Sequence, residues 1–584
     1  MSVVEFKDYS FRYLHRKQPA LKHISLSLEP GTVVGIIGRA GAGKTTFVKA
    51  LNGLVPQIEP GYQDGDVITA GKNTRQSDVS EMAHFVSIVL ENPETQIFSL
   101  TVEDDVAFGP ANLGVPTDEI WERVRYALKE TDLEGFERRN PNNLSGGEQQ
   151  ALAVAGSLAM KPCVLALDEP VAMLDPVGKE RVMSVVERVT RSEMRTTTLI
   201  TESGADIEPL ADKLDRVVVL DEGRVLADGP MDVLASPILD EIGVGHPQVV
   251  RLFLSLQEAG VALPRIPVTL EGATQATREL LAAAGVQRIQ VPPGFGQTQP
   301  RTFGEQVIEV ENLEHVYPPH IPALRGVSLS IRAGEIIGII GQNGSGKTTL
   351  ARHLVGLLKP SNRDAVLHVM GKDITKMKIV DIIRIINYVF QNPDDQIFAD
   401  TVQEEIAFAP MMLGMPPAES QPIIEQILET FHLKGHEKDF TMSLPEDLKT
   451  YLSIACVLPL QPEILLIDEP TTGLDTRGEK LMMESLETLR QQGRTIVIIT
   501  HNMKTVAQHC DRAFVMAKGK IILQGTPREI YTQTEKLLEA DIKPPQITQL
   551  GQRLGDLGFP GNVLTVEEMA DLMLYNLGKE RNRG

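Results

Sequence analysis

Two stretches of this chain, "GRAGAGKT" (Gly38 to Thr45) and "GQNGSGKT" (Gly341 to Thr348), fit the pattern G-x-x-x-x-G-K-[ST]. Each follows a strand-like apolar run and precedes a helix-like one. The glycines Gly38, Gly41 and Gly43, and Gly341, Gly344 and Gly346, let backbone N–H groups close on phosphate oxygens. The start of the following helix adds a positive field. Lys44 and Lys347 are expected to reach the β- and γ-phosphates of a nucleotide, and Thr45 and Thr348 to bind Mg2+. Thr46 and Thr349, next in line, are counted with the nucleotide-binding set. One match alone could be a Gly-rich strand-to-helix turn, but two in register within a repeat make chance negligible.

Further on, "VLALDE" and "ILLIDE" are apolar strands ending in acid. Asp168 and Asp468 would orient the Mg2+ shell. Glu169 and Glu469 would polarise an attacking water, a task that needs a carboxylate near the γ-phosphate.

The elements that must position these residues are written twice. "ENPETQIFSLTVEDDVAFGPANLG" (Glu91 to Gly114) matches "QNPDDQIFADTVQEEIAFAPMMLG" (Gln391 to Gly414), and the tails starting at His246 and Pro544 also correspond. A period of roughly 300 residues is too long for a solenoid and marks duplication of a whole domain. Each copy reads as an opening β region with an aromatic (Tyr13 or Tyr317), a buried strand, a Gly-rich loop and a helix. A helical middle portion, the strand ending in Asp-Glu, a further strand, a Gly-turn hairpin and a helical tail follow. Alternating strands and helices imply an α/β layered fold. The expected domains are residues 1–235 with a helical extension at 236–290, and 306–535 with a helical extension at 536–584. Between them, "VPPGFGQTQPRTFGE" (Val291 to Glu305) reads as a linker.

Bulk properties exclude several classes. The N-terminus lacks a basic start followed by an apolar core, so no signal peptide is expected. No apolar run approaches the roughly 20 residues of a membrane-spanning helix. Cys163, Cys456 and Cys510 lie far apart without metal-ligand spacing, which argues against a disulfide framework or zinc site and fits a reducing cytosol. A net charge of −21 argues against a protein that mainly grips nucleic acid.

"LSGGEQQ" (Leu144 to Gln150) opens a helix that Ser145 can cap, with Gly146 and Gly147 leaving backbone N–H groups open to an anion. Together with the other motifs it resembles the signature sequence of the ATP-binding cassette (ABC) ATPases, over nearly all of both halves. The resemblance implies two tandem nucleotide-binding domains, each a P-loop core with an antiparallel β subdomain and a helical subdomain. It also implies ATP and Mg2+ as ligands, Tyr13 and Tyr317 beside the nucleotide, and an internal pseudo-dimer. In that family two cassettes close head-to-tail, each ATP held by one P-loop and the other cassette's signature.

The second signature departs from the pattern: Pro445, Glu446 and Asp447 stand where Ser145, Gly146 and Gly147 do. Pro445 has no N–H to donate. A carboxylate facing a phosphate at ~4 Å and an effective dielectric of ~20 is repelled by about 4 kcal/mol. Further departures lie in the first copy. Glu91 replaces the family's sensing glutamine, kept as Gln391, and Glu202 replaces its histidine, kept as His501. Head-to-tail pairing collects every departure in one site: Lys44, Glu91, Glu169 and Glu202 would meet Pro445-Glu446-Asp447. The other site is complete, with Lys347, Gln391, Asp468, Glu469 and His501 meeting Ser145-Gly146-Gly147. One hydrolytic and one degenerate site are expected.

"NPETQIF" and "NPDDQIF" resemble the cassettes of energy-coupling-factor and cobalt/nickel-type importers. The resemblance implies a peripheral subunit on the cytoplasmic face of the membrane, driving uptake of a vitamin or metal ion. Its partners would be a transmembrane coupling protein and a separate substrate-binding membrane subunit. Ile97, Phe98, Ile397 and Phe398 are candidate apolar anchors for a coupling helix. The competing class is a soluble tandem ABC protein acting on ribosomes or nucleic acid. Such proteins usually carry a basic arm, a charged linker helix or an iron–sulfur cysteine cluster, and this sequence shows none of these.

Overall fold

The runs leading into the two Gly-rich loops, Val33–Ile37 and Ile336–Ile340, are apolar throughout and buried along their whole length. Such strands suit a parallel sheet covered on both faces. The computed structural model describes residues 2–171, 174, 176–191, 196–203, 207–296, 301–318 and 320–580. Among these, each run sits inside a six-stranded sheet.

In the first unit the sheet order is Arg224–Gly229, Arg216–Asp221, Val33–Ile37, Thr197–Glu202, Val164–Leu167, Val86–Val89. All pairings are parallel except the terminal hairpin. The second unit repeats this order with Lys520–Gly525, Arg512–Ala517, Ile336–Ile340, Thr495–Thr500, Ile464–Asp468 and Ile386–Val389. Again only the hairpin is antiparallel. Parallel order brings the carboxyl ends of the loop strand, the Asp-Glu strand and the strand after it to one edge, where α/β sheets bind ligands.

A smaller antiparallel sheet accompanies each. Val4–Tyr13 lies between Leu21–Leu28 and Gly61–Thr69, and Gln306–Tyr317 between Ile321–Arg332 and Val366–Val369. In the first unit, the core on this side joins Phe6 and Phe11 to Ile36, Phe47 and Val218. The core on the other side joins Val106 and Leu152 on helices to Leu167 and Ile200 on strands. The loop strand is thereby gripped from both faces.

The chain divides into compact units Met1–Ala276 and Thr277–Gly584. The division passes through the helix Leu270–Ala283, within the stretch expected as the first copy's extension. In the second unit, Arg278 forms a bidentate ion pair with Asp556, and Asn576 hydrogen-bonds the Gln290 backbone in both directions. Of the expected linker, residues 291–296 and 301–305 lie outside helix and strand, and 297–300 lie outside the described residues. Among the described residues no helix is long and apolar enough to cross a membrane.

Candidate active site

Each Gly-rich loop wraps its own lysine. Gly43 and Gly346, both at φ 106°, turn the chain into the helices Lys44–Ala50 and Lys347–Leu354. A Cβ there would sit 2.5 Å from the Ala20 carbonyl oxygen and 2.7 Å from that of Ala323, so only glycine fits. The Lys44 ammonium donates to the carbonyls of Gly38 (2.8 Å) and Arg39 (3.2 Å). Lys347 does the same to Gly341 (2.7 Å) and Gln342 (3.1 Å). The opening aromatics land beside these helices: the Tyr13 hydroxyl is 3.1 Å from that of Thr46, and Tyr317 is 3.4 Å from that of Thr349.

At the end of the Asp-Glu strand, one strand removed from the loop strand, the acidic pairs differ in their surroundings. Glu169 (φ 46°) and Glu469 (φ 51°) both adopt the left-handed backbone, which costs a non-glycine residue roughly 1–3 kcal/mol and recurs at functional sites. In the second unit Glu469 is buried. The His501 ring meets its Oε1 at 2.7 Å, the His501 backbone N–H donates to the same oxygen at 3.0 Å, and the Thr500 hydroxyl donates to Oε2 at 2.9 Å. Burial alone would raise its pKa, but the facing His501, with Lys347 and Thr500, outweighs this and holds the carboxyl below its ordinary range.

Asp468, beside it, accepts from the Thr348 hydroxyl at 3.2 Å and from the Tyr388 hydroxyl at 2.8 Å, both on Oδ2. Burial first, then the Glu469 charge, push the Asp468 carboxyl up to about 6. A divalent cation at this point would hold it ionised. A threonine hydroxyl beside a buried carboxylate is a hard-oxygen set that suits Mg2+ completed by phosphate and water. Gln391, exposed on the loop after the edge strand, lines one small cavity with Asp468, Glu469, Thr450 and Ser453.

The first unit arranges the same letters otherwise. Glu169 Oε1 lies 3.0 Å from the Lys44 ammonium, and Oε2 accepts from the Ser203 hydroxyl at 3.2 Å. The Thr201 hydroxyl donates to Asp168 Oδ1 at 2.7 Å; the strand register sets Thr201 at the position of Ile499, and Ser203, which meets Glu169, at that of His501. Glu202, expected in place of the histidine, is buried at the register position of Thr500, so Ser203 takes the place of His501; Glu91 is exposed on its loop. Lys44 and Glu169 meet in the first unit, and Thr348 with Asp468 and His501 with Glu469 in the second, so the two groups are wired differently.

The profile of the ABC transporter family matches residues 21–172 and 324–472. The chain belongs to the ABC transporter family. A protein of Caldanaerobacter subterraneus subsp. tengcongensis, provisionally described as an ABC transporter ATP-binding protein, is 37% identical over 96% of this chain and 97% of its own length. One of Methanosarcina acetivorans with the same description is 35% identical over 98% of this chain and 93% of its own length. The solved structure of cbiO1 from Clostridium perfringens, described as part of the ABC transporter complex cbiONQ, is 32% identical with a TM-score of 0.38. It covers 42% of this chain and 99% of that one. ABC ATP-binding domains are ATP hydrolases, so this chain is a tandem-cassette, ABC-type ATP hydrolase and the ATP-binding subunit of a transporter.

The two ABC signatures are built differently. Ser145 caps the helix Gly146–Ala159 in a capping box with Glu148. Pro445 heads Glu446–Ala455 with no side-chain cap, and Glu446 and Asp447 occupy its first turn. The repulsion expected from Glu446 is partly offset: Lys449, nearly buried, places its ammonium 3.3 Å from Glu446 and 2.8 Å from Asp394. Among the apolar anchors, Phe98 is 61% and Phe398 58% exposed, each packed edge-on against Phe108 or Phe408 of its own cassette. The isoleucines are corrected: Ile397 is buried in the second cassette's core and Ile97, partly buried, packs against the first cassette's, because the loop turns these side chains inward.

Sequence reasoning passed over Tyr388, Lys449 and the pair Thr201/Thr500. The repeat alignment held a signal for the first two, since Tyr388 stands opposite Ile88 and Lys449 opposite Gln149. For the threonines it misled, since it pairs Thr201 with Thr500 while the strand register sets Thr201 at the position of Ile499.

Proposed function

We propose that this chain is the ATP-hydrolysing motor of an importer of the energy-coupling-factor type, taking up a vitamin or a metal ion, with one complete and one degenerate ATP site. It works at the cytoplasmic face of the membrane, docked on a transmembrane coupling protein and served by a separate substrate-binding membrane subunit. The complete site combines Lys347, Gln391, Asp468, Glu469 and His501 with the signature Ser145-Gly146-Gly147. The degenerate one combines Lys44, Glu91, Glu169 and Glu202 with Pro445-Glu446-Asp447.

The observation that carries the asymmetry is the contrast between a glutamate held by His501 and one leaning on Lys44. Glu469 takes the proton of the attacking water as its oxygen bonds to the γ-phosphorus. The bond from that phosphorus to the β-phosphate oxygen breaks, leaving ADP and phosphate. His501 keeps the carboxylate ionised and aimed, and Lys347 binds the phosphates. Mg2+, held by Thr348 and Asp468, neutralises phosphate charge when bound.

Membrane docking is supported by the two exposed phenylalanines in the NPxxQIF segments. Burying each ring is worth roughly 1.5–3 kcal/mol. Phe98→Asp combined with Phe398→Asp should therefore release the chain from membranes in a sedimentation assay while ATP binding survives. Retention of the double variant on membranes, or a wild-type chain recovered only on ribosomes, would reject this reading.

A further inference from the structure

We infer that Tyr388 is a positioning residue for the Mg2+ chemistry of the second cassette, holding the Asp468 carboxylate from the edge strand. The inference rests on the reading of Asp468 and Thr348 as the Mg2+-holding pair. Tyr388 lies on the edge strand Ile386–Val389, opposite Leu466 of the strand that ends in Asp468. Its ring is almost wholly buried, packed edge-on against Phe390 at 5.0 Å, which fixes its direction. Its hydroxyl donates to Asp468 Oδ2 at 2.8 Å.

A hydroxyl has one proton to give. In the first cassette the matching strand residue is Ile88, which has no hydroxyl, and Thr201 gives its proton to Asp168. Thr201 stands at the register position of Ile499, which has no hydroxyl, so in the second cassette the aspartate has no such donor on that strand. Tyr388 supplies it from the strand on the other side, and Thr348 adds a second donor to the same oxygen. The catalytic geometry of the second cassette thus depends on a side chain outside every ABC motif, and a single ring-to-aliphatic change removes it from the first.

The test is Tyr388→Phe in the full chain, which keeps the ring and deletes the hydroxyl. ATP binding is measured as Mg2+ is titrated and again in chelator, with Asp468→Asn as reference; the first cassette contributes the same background throughout. Outer-sphere partners of metal ligands typically change metal affinity by about tenfold or more. Tyr388→Phe should raise the half-saturating Mg2+ concentration by about that factor, lower kcat and leave ATP binding in chelator unchanged. An unaltered Mg2+ dependence in Tyr388→Phe, with a shifted one in Asp468→Asn, overturns the inference. Loss of binding in chelator also overturns it, since the ring would then be merely structural. An unaltered Mg2+ dependence in Asp468→Asn overturns the reading of Asp468 beneath it.

Discussion

The first cassette's Glu169 and the second cassette's Glu469 follow the same aspartate at the end of the same kind of strand, with the same left-handed backbone. One rests against the cation of its own P-loop, and the other faces a histidine and a threonine. A general base must keep a carboxylate oxygen directed at water; both glutamates feel the lysine of their own P-loop, but only Glu469 has a histidine and a threonine to aim it. The comparison teaches that a base is made by its second strand: His501 orients Glu469, whereas the matching Ser203 gives Glu169 only a hydroxyl.

The sharpest way to break the comparison is to neutralise each glutamate. Glu469→Gln should lower steady-state ATPase activity by about 10²–10⁴-fold, the usual worth of a positioned acid–base group, while ATP still binds. Glu169→Gln should leave most of the turnover. Similar losses from the two substitutions would erase the distinction.

A smaller effect sharpens it. In the first cassette, phosphate must displace Glu169 from Lys44, and a charge-assisted hydrogen bond is worth roughly 1.5–3 kcal/mol. Glu169→Gln should therefore tighten ATP at the weak site by about tenfold, as read by equilibrium binding in chelator. Unchanged or weaker affinity would show that the ion pair does not compete with nucleotide.

The smallest effect concerns the second signature. Lys449→Gln, which installs the first cassette's residue, removes the ties to Asp394 and Glu446. Both acids are largely solvent-exposed, so the loss should be about 1 kcal/mol in denaturant unfolding, with ATP binding retained. A loss several times larger would make this triad a keystone of the degenerate helix.

Much of this was legible in the chain itself. The Gly-rich loops, the Asp-Glu strands and the capped helix at Ser145 are local: a few adjacent residues meet the steric and hydrogen-bonding needs of one turn. The alternation that builds the six-stranded sheets is local too. Phe98 and Ile97 are adjacent in sequence and equally apolar, yet one faces solvent and the other packs on the core. Side-chain direction in an irregular loop has no period to read, so the sequence could name the pair but not divide it.

By itself the sequence determined that there are two nucleotide cassettes, that their motifs are unequal, and where the inequality falls. Those are matters of which residue types are present and in what order along the strand or turn that carries them. Only the tertiary structure decided how the carboxylates are wired. Tyr388 and Asp468, Lys44 and Glu169, and Thr500 and Glu469 meet across strands and loops far apart in the chain. Thr201 and Thr500 make the point most plainly: the repeat aligns them, but the strand register sets them one position apart, so one hydroxyl reaches the aspartate and the other the glutamate.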